Sequence, residues 1–260
     1  MKSLPQKIWL TGASSGIGQA LALALLKAGC ELVITARREA PLAQLAQQFP
    51  GQCHLLVMDL ADPSAVDGAR KTLSELVPHL DAVILNAGTC EYLDVHAFSA
   101  QKFKQVMDVN TQGAAHTIEL ALPLLRAASK PAQILGISSL ATRIPLPRAE
   151  AYGASKAAFE YLLASLRVDL AAEGIHVGLV RPGFVKTPLT DRNDFEMPFI
   201  LDISEALPPI LRALGERKLL VEFPWQLAAT MRLVSWLPTK LQLGILKNMS
   251  RNTGGEHDKR

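Results

Sequence analysis

Short runs of apolar residues alternate along the chain with longer segments in which apolar residues recur every three or four positions. The short runs are rich in leucine and β-branched residues and are bounded by turn residues, which is typical of strands buried in a parallel sheet. They predict seven strands, at residues 7–11, 31–35, 53–58, 82–85, 133–137, 176–180 and 219–222. The longer segments predict helices at residues 17–28, 40–48, 64–77, 99–127, 151–172 and 204–214.

This alternation predicts right-handed βαβ crossovers, and therefore an α/β fold with a Rossmann-like, doubly wound parallel sheet of about seven strands. We place a single catalytic domain of this kind at residues 1–222. Residues 187–203 interrupt the rhythm and are predicted to form a substrate lid. Residues 223–251 continue past the last strand as an amphipathic helical extension, and residues 252–260 are expected to be a disordered tail.

Composition narrows the classes of function. A formal net charge of +3 over 260 residues is too small to favour nucleic acid as the main ligand. The three cysteines share no metal-binding or redox spacing, so we expect no metal site and reduced thiols. Neither a secretory signal nor an apolar run long enough to span a bilayer is visible, and we therefore expect a cytoplasmic protein.

A glycine-rich segment, TGASSGIG at residues 11–18, joins the first predicted strand to the first predicted helix. Glycines at these positions permit a tight turn, a close approach of the backbone to a pyrophosphate, and close packing of the helix. The helix N-terminus then offers free N–H groups to phosphate. A simple tight turn is the alternative interpretation. The residues assigned to cofactor binding here are Gly12, Ser14, Ser15, Gly16, Ile17 and Gly18.

Four further motifs follow in chain order, each beginning where a predicted strand ends. They are Asp59-Leu60, Asn86-Ala87-Gly88, Ser139 with Tyr152-x-x-x-Lys156, and Pro182-Gly183. With these motifs in this order, residues 7–223 resemble the short-chain dehydrogenase/reductase family, in its short form with TGxxxGxG and YxxxK. The resemblance implies an oxidoreductase that interconverts a carbonyl and a secondary alcohol with a nicotinamide cofactor.

The residues after the second predicted strand indicate which nicotinamide cofactor is used. A Rossmann unit that binds NAD normally carries an acidic residue here, which binds the ribose 2′-OH. This chain has Ala36-Arg37-Arg38 instead. A guanidinium pairs with a 2′-phosphate that a carboxylate would repel. We therefore predict NADP(H), with Arg37 as the contact that the resemblance implies. Solvated loop residues are the alternative, above all for Arg38.

The resemblance implies further cofactor contacts. Asp59 would recognise the adenine, although capping of the next helix is an alternative role. Residues 86–88 would line the pocket below the adenosine ribose, and the backbone of Val185 and hydroxyl of Thr187 would hold the carboxamide. The contacts expected beyond the glycine-rich segment are Arg37, Asp59, Leu60, Asn86, Ala87, Gly88, Tyr152, Lys156, Pro182, Gly183, Val185 and Thr187.

Tyr152 and Lys156 are four residues apart in a helical pattern, so their side chains lie on one face. An ammonium about 4 Å from a phenol contributes roughly 4 kcal/mol at an effective dielectric constant near 20. Such an interaction would lower the pKa of Tyr152 by about three. We therefore expect Lys156 to make Tyr152 usable as a general acid or base. The resemblance implies that Lys156 also binds the nicotinamide ribose.

Ser139 and Asn110 complete the predicted catalytic set. The resemblance implies that Ser139 hydrogen-bonds the substrate oxygen, and Ser138 is the weaker candidate for this role. Asn110 falls on the apolar stripe of its predicted helix, where a buried amide must be hydrogen-bonded. It is either a satisfied core residue or, as the resemblance implies, the support for a water relay to Lys156. We favour the relay because the other members of the set are present.

The predicted substrate region is predominantly apolar, and it therefore predicts a hydrophobic substrate. The apolar residues of the predicted lid are Leu189, Phe195, Met197, Phe199, Ile200 and Leu201. Residues 223–251 show helical apolar spacing that Pro238 should divide into two helices. Their only charges are basic, at Arg232, Lys240, Lys247 and Arg251. Such a segment can lie on an anionic membrane. A helix pair that covers the substrate cleft or a subunit interface is the alternative that we favour.

Two other functional classes compete with a dehydrogenase. A noncatalytic NADP(H)-binding sensor or scaffold would share the fold, but it would not need the whole set of catalytic residues. A sugar-nucleotide epimerase usually has TGxxGxxG and a larger C-terminal substrate domain, and neither is found here. The resemblance also implies a homodimer or homotetramer that pairs the long helices predicted at 99–127 and 151–172, as symmetric assemblies are common.

Overall fold

Seven parallel strands form one sheet within residues 4–247, the part of the chain that the computed structural model describes. The strands are β1 (Lys7–Thr11), β2 (Glu31–Ala36), β3 (Cys53–Val57), β4 (Ala82–Leu85), β5 (Gln133–Ile137), β6 (His176–Pro182) and β7 (Leu220–Phe223). Their bounds differ from the predicted ones by no more than two residues. All pairings are parallel, which confirms the predicted sheet.

The strand order β3-β2-β1-β4-β5-β6-β7 determines where a ligand can bind. The chain runs outward in one direction from β1 to β3 and then returns to the other side of β1 with β4. At such a switch point the loops after β1 and β4 lead to opposite faces of the sheet. A crevice is therefore left at the carboxyl ends of these two strands.

Helices cover both faces of the sheet. They are α1 (Gly16–Lys27), α2 (Glu39–Gln48), α3 (Ser64–Leu76), α4 (Ala100–Met107), α5 (Gly113–Arg126), α6 (Glu150–Asp169), α7 (Ile203–Glu216), α8 (Trp225–Trp236) and α9 (Thr239–Lys247). One buried cluster joins α1, α2 and α7 to one face of the sheet. A second cluster joins α3, α5 and α6 to the other face. This arrangement confirms the doubly wound α/β fold.

The helix predicted at residues 99–127 is not continuous. The π-helical turn Asp108–Gln112 separates α4 from α5, and Asn110 lies at the centre of this turn. Apolar spacing did not reveal the interruption, because apolar residues continue at helical intervals on both sides of it. A π-turn holds one more residue than an α-helical turn, and such turns are frequent at functional sites.

Beyond β7, α8 and α9 are separated by Leu237 and Pro238. They pack on the segment that follows β5, in a small cluster that includes Leu140, Met231 and Leu246. Within the described residues, no helix has the length and apolar character needed to cross a membrane. The end of the predicted extension, with Arg251, and the predicted tail at 252–260 lie outside the described residues.

Candidate active site

A cavity of about 190 Å³ opens at the carboxyl edge of the sheet, where the crevice between β1 and β4 is expected. Most of the predicted cofactor residues line it, although they come from five separate parts of the chain. The predicted residues that line this cavity are Gly12, Ser15, Gly16, Ile17, Gly18, Asn86, Ala87, Gly88, Ser139, Tyr152, Lys156, Pro182, Gly183, Val185 and Thr187.

The glycine-rich turn is shaped by backbone conformation and close contact. Gly12 has φ +71°, in the left-handed region that favours glycine, and a Cβ here would lie 2.7 Å from the Ala87 Cα. A Cβ on Gly18 would lie 2.1 Å from the carbonyl oxygen of Gly12. Both positions therefore require glycine so that the turn can fold against the loop after β4.

The N-terminus of α1 faces this cavity with its backbone donors available. Ser15 occupies the N-cap position, but its side chain makes no capping hydrogen bond, and the first turn contains no acidic residue. A helix in this state presents N–H groups and the positive end of its dipole to an anion. A Cβ on Gly16 would lie 3.3 Å from Thr187 on the opposite rim, so the cradle is narrow at this point.

The arginines after β2 lie outside the cavity. Arg37 is exposed. Arg38 is also exposed, but its Nη2 lies 3.3 Å from the Oγ and 3.4 Å from the carbonyl oxygen of Ser14. The structure therefore brings Arg38, the arginine assigned the weaker case from the sequence, against the glycine-rich turn.

Asp59 and Leu60, at the end of β3, are also outside the cavity lining. The Asp59 Oδ1 accepts a hydrogen bond from the Ala61 N–H at 3.0 Å, and it thereby shapes the turn that leads toward α3. Leu60 is buried and packs closely against Gly113. Its side chain belongs to the core, and its carbonyl oxygen lies 2.8 Å from the Nδ1 of His116.

The predicted catalytic residues converge at the end of β5. Tyr152 and Lys156 lie one turn apart on α6, and Ser139 follows β5. The side chains of Ser139 and Tyr152 are close enough for Ser139 to lower the pKa of Tyr152. The Lys156 Nζ is buried and donates to the carbonyl oxygen of Ile137 at 2.9 Å. A hydroxyl pair and a buried cation are thus held beside one another on rigid elements.

Burial is the largest influence on the pKa values of Tyr152 and Lys156. It raises the pKa of Tyr152 to about 12, while the hydrogen bond with Ser139 lowers it and the charges of Cys90 and Glu160 raise it further. Burial also lowers the pKa of Lys156 to about 8, against an opposing effect of Glu160. The shift of Tyr152 is opposite to the one expected from the Tyr–Lys spacing, because desolvation of the phenolate by burial is its largest cause.

Asn110, in the π-turn, is almost completely buried, and both ends of its amide are hydrogen-bonded. Its Oδ1 accepts from the Thr89 N–H at 2.7 Å, and its Nδ2 donates to the Thr89 carbonyl and the Ser155 Oγ, each at 2.9 Å. A Cβ on Gly88 would lie 3.3 Å from this Oδ1 and 3.4 Å from the Lys156 Nζ. Asn110 therefore connects the loop after β4 to α6 directly beside Lys156.

A second cavity, of about 940 Å³, adjoins the first. Ser139 and Tyr152 line both cavities, and so do Gly183, Leu189 and Thr190. The walls of the second cavity are mainly apolar. A ligand that reaches the Tyr152 hydroxyl from this side would therefore meet a ligand in the first cavity at the predicted catalytic residues.

The segment 187–203 forms part of the wall of this second cavity, but only some of its apolar residues line the cavity. Leu189, Phe195 and Met197 line the cavity, as the sequence predicted. Phe199 is 51% exposed, and Leu201 packs against the core beneath the sheet instead. The segment is held down at Tyr92, whose hydroxyl hydrogen-bonds Asn193 and whose ring meets Phe195 edge to face.

The helices α8 and α9 form the far wall of the same cavity. Their inward residues Leu227, Met231, Val234, Ile245 and Leu246 contribute to its lining. The pair therefore covers the second cavity. One of its basic residues is paired, because Arg232 donates to the Glu222 carboxylate at 2.5 Å. The charge of Arg232 is therefore compensated by an acidic residue outside residues 223–251.

Several cavity residues were not identified from the sequence. Thr190, Glu196 and Thr230 line the second cavity, and Glu160 accepts a hydrogen bond from Ser138, next to the predicted catalytic serine. Thr190 and Glu196 fall within the segment predicted as a lid, but no pattern distinguishes them there. Thr230 and Glu160 acquire their places through elements that are distant in the chain.

The sheet is doubly wound, the N-terminus of α1 is free to bind a phosphate, and a serine, a tyrosine and a lysine lie at the carboxyl edge of the sheet. Together these features define a Rossmann-type oxidoreductase. Residues 6–197 match the family of short chain dehydrogenases, and the chain belongs to this family.

The chain is also similar to individual members of that family. It is 34% identical over 235 residues to an uncharacterized oxidoreductase of Myxococcus xanthus, covering 89% of this chain and 92% of the relative. It is 32% identical over 209 residues to a rhamnolipids biosynthesis 3-oxoacyl-[acyl-carrier-protein] reductase of Pseudomonas aeruginosa, covering 78% and 81%. A short-chain dehydrogenase from Streptomyces avermitilis shares the fold, with a TM-score of 0.76 at 22% identity over 96% of this chain and 100% of the other.

Proposed function

We propose that this protein is an NADP(H)-dependent oxidoreductase that interconverts a carbonyl and a secondary alcohol on a hydrophobic substrate. The observation that carries the proposal is the meeting of two cavities at Ser139 and Tyr152. One cavity is lined by glycines and is the more polar of the two, and the other is large and apolar. Family membership supplies the reaction class, and this junction identifies the residues at which the reaction would occur.

The first cavity fits a dinucleotide cofactor. The uncapped N-terminus of α1 would bind the pyrophosphate, and Lys156 beside Gly88 would bind the nicotinamide ribose. Preference for NADP(H) is supported by Arg37 and by Arg38, whose guanidinium lies against Ser14. Two arginines after β2 provide paired donors for a 2′-phosphate. The adenine would lie beyond them, toward Asp59.

A bound nicotinamide supplies the hydride that the carbonyl carbon accepts, or takes it from the alcohol in the reverse reaction. Tyr152 donates its hydroxyl proton to the carbonyl oxygen, and Ser139 holds this oxygen in place. With its pKa raised to about 12, Tyr152 is protonated at neutral pH and holds the proton that reduction of a carbonyl requires. The Lys156 ammonium stabilises the tyrosinate that forms. Asn110 supports the resupply of the proton through Lys156.

The shape and chemistry of the second cavity support an extended hydrophobic substrate. Its lining is contributed by the lid and by α8 and α9, and it is mainly aliphatic and aromatic. The Pseudomonas aeruginosa relative is named for reduction of a 3-oxoacyl group, which is a carbonyl on a hydrocarbon chain. Fatty-acyl, steroid and aliphatic carbonyls are therefore the classes to test.

The test is a turnover assay with purified protein, in which absorbance of reduced nicotinamide is followed with NADPH or NADH and each carbonyl class. We expect turnover with NADPH and an apolar carbonyl, and none with Tyr152→Phe. Tight binding of NADPH without turnover would instead support the noncatalytic sensor or scaffold. In that case none of the carbonyls tested would lead to oxidation of NADPH, and none of the alcohols tested would lead to reduction of NADP⁺.

We also propose a homo-oligomer that associates through α6. Tyr161 and Val168 are 78% and 75% exposed, and they lie seven residues apart on one face of this helix. Exposed apolar residues at this spacing form a stripe that a two-fold related copy would cover. Light scattering at micromolar concentration tests the assembly. Particles of only 28.1 kDa, the mass of one chain, would reject it.

We expect a cytoplasmic protein, and its three cysteine thiols are free. The outer face of α8 and α9 supports a peripheral contact of this protein with anionic membranes. Lys240 and Lys247 are exposed beside this face. Indole rings and basic side chains on one amphipathic surface suit a headgroup region. Co-sedimentation with anionic and neutral liposomes tests this contact, and equal, negligible binding to both would reject it. The large exposed apolar residues of these helices that do not line the second cavity are Trp225, Leu233, Trp236, Leu241 and Leu243.

A further inference from the structure

A carboxylate on α6 is hydrogen-bonded to residues on both sides of Ser139, the predicted catalytic serine. Glu160 lies on α6, one turn after Lys156 and two turns after Tyr152. Its Oε1 accepts hydrogen bonds from the Ser138 Oγ at 2.6 Å and from the Thr142 Oγ1 at 3.0 Å, and this Oγ1 shares its proton with the Ser139 carbonyl oxygen at 2.9 Å. Ser138 precedes Ser139, and Thr142 ends the short 3-10 turn that Ser139 caps. The helix that carries Tyr152 is therefore bonded to the turn that carries Ser139.

This carboxylate belongs to a larger cluster of charges behind the site. Arg181, on β6, donates through Nε and Nη2 to the two oxygens of Glu160, at 2.9 and 2.5 Å. Its Nη1 donates to Glu222, on β7, at 3.0 Å. Glu222 also accepts from Arg143, at 2.8 Å from Nε, and Arg143 is the residue directly after the serine turn. The turn is thus bonded at three positions to two carboxylates that Arg181 connects.

The charged side chains of this cluster are largely buried. The side chains of Glu160, Arg181 and Glu222 are only 11%, 16% and 6% exposed. Charge-assisted hydrogen bonds are stronger than neutral ones, and bidentate guanidinium–carboxylate pairs also fix orientation. A buried ion pair contributes little net stability compared with apolar residues of the same volume, but it can specify one geometry. Its presence behind a reactive hydroxyl is therefore better explained by positioning than by stability.

We propose that Glu160 and Glu222, bridged by Arg181, are positioning residues that hold Ser139 at a fixed place relative to Tyr152. The inference rests on the proposed carbonyl–alcohol activity, in which both hydroxyls contact the same substrate oxygen. None of the three charged side chains lines either cavity, so they act through the turn and not on the substrate. A misplacement of about 1 Å in such a contact can lower turnover by about 100-fold.

The sharpest test removes the two neutral hydroxyls and leaves the ion cluster intact, so that folding is preserved. In Ser138→Ala/Thr142→Val we expect kcat to fall by about tenfold or more. The KM of the carbonyl and the Kd of NADPH, measured by titration, should change less than about twofold, because both hydroxyls are hydrogen-bonded to Glu160 and Ser139, not Ser138, is proposed to contact the substrate oxygen. Restoring one hydroxyl, in Ser138→Ala/Thr142→Ser, should recover several-fold of the lost kcat.

The matched control is Thr72→Val/Ser74→Ala on α3, where both hydroxyls are exposed and bond only to backbone carbonyls of their own helix. This variant should match the wild-type kcat. A folded Ser138→Ala/Thr142→Val protein with wild-type kcat would overturn the positioning role while the proposed function stands. Loss of NADPH binding together with kcat would also overturn it, because it would indicate general disruption. A wild-type protein without turnover on any carbonyl would overturn the proposed function and this inference together.

Discussion

Replacing Lys156 by methionine should abolish turnover and at the same time make the protein more stable at neutral pH. Lys156 is 5% exposed, and burial lowers the pKa of its ammonium from 10.5 to about 8. Methionine is similarly long, flexible and uncharged, so it can occupy the same space without the desolvation cost. The proposed active site therefore contains a cation that the fold tolerates at the expense of stability.

The size of this effect follows from the pKa and one hydrogen bond. A fall from 10.5 to about 8 corresponds to about 3 kcal/mol of destabilisation at neutral pH. Loss of the 2.9 Å hydrogen bond from the Nζ to Ile137 offsets about 1 kcal/mol of the gain. We therefore expect Lys156→Met to raise the free energy of unfolding by about 2 kcal/mol at pH 7.

The sign of the pH dependence provides a second check. Between pH 8 and pH 10.5 the unfolded chain holds more protons on this lysine than the folded protein does. The wild-type stability should therefore rise through this window, and the advantage of Lys156→Met should shrink. Urea unfolding followed by circular dichroism at pH 7 and pH 10 measures both quantities, with the exposed Lys102→Met on α4 as the control. A wild-type protein as stable as the variant at pH 7, or a difference independent of pH, would refute the reasoning.

Three further predictions concern catalysis, cofactor choice and the glycine-rich turn. Tyr152→Phe should lower turnover by about 10²–10⁴-fold in steady-state assays and leave the Kd of NADPH nearly unchanged, since only the transferable proton is lost. Arg37→Asp should weaken NADPH binding and favour NADH in titrations; equal affinities of the unmutated protein would contradict the argument. Gly18→Ala should prevent folding, seen as lost native circular dichroism, because its Cβ would lie 2.1 Å from the Gly12 carbonyl oxygen; a native spectrum would contradict this.

The fold and much of the site could be predicted from local features of the sequence. Strands buried on both faces appear as short apolar runs, and all seven were found within two residues of their ends. The turn at residues 11–18 was also predictable, because backbone conformation and close contacts restrict Gly12 and Gly18 to one residue type. The spacing of Tyr152 and Lys156 places them on one helix face whatever the remainder of the fold is.

Only the tertiary structure decided the features that depend on partners distant in the chain. The π-turn around Asn110 is stabilised by contacts to Thr89 and Ser155, so helical periodicity did not reveal it. The raised pKa of Tyr152 depends on burial, which the spacing of Tyr152 and Lys156 does not reveal. Glu160 could not be recognised from the sequence either, because its partners come from the end of β5 and from β6. A local pattern determines backbone conformation, whereas desolvation and charge pairing are determined by whichever elements the fold packs together.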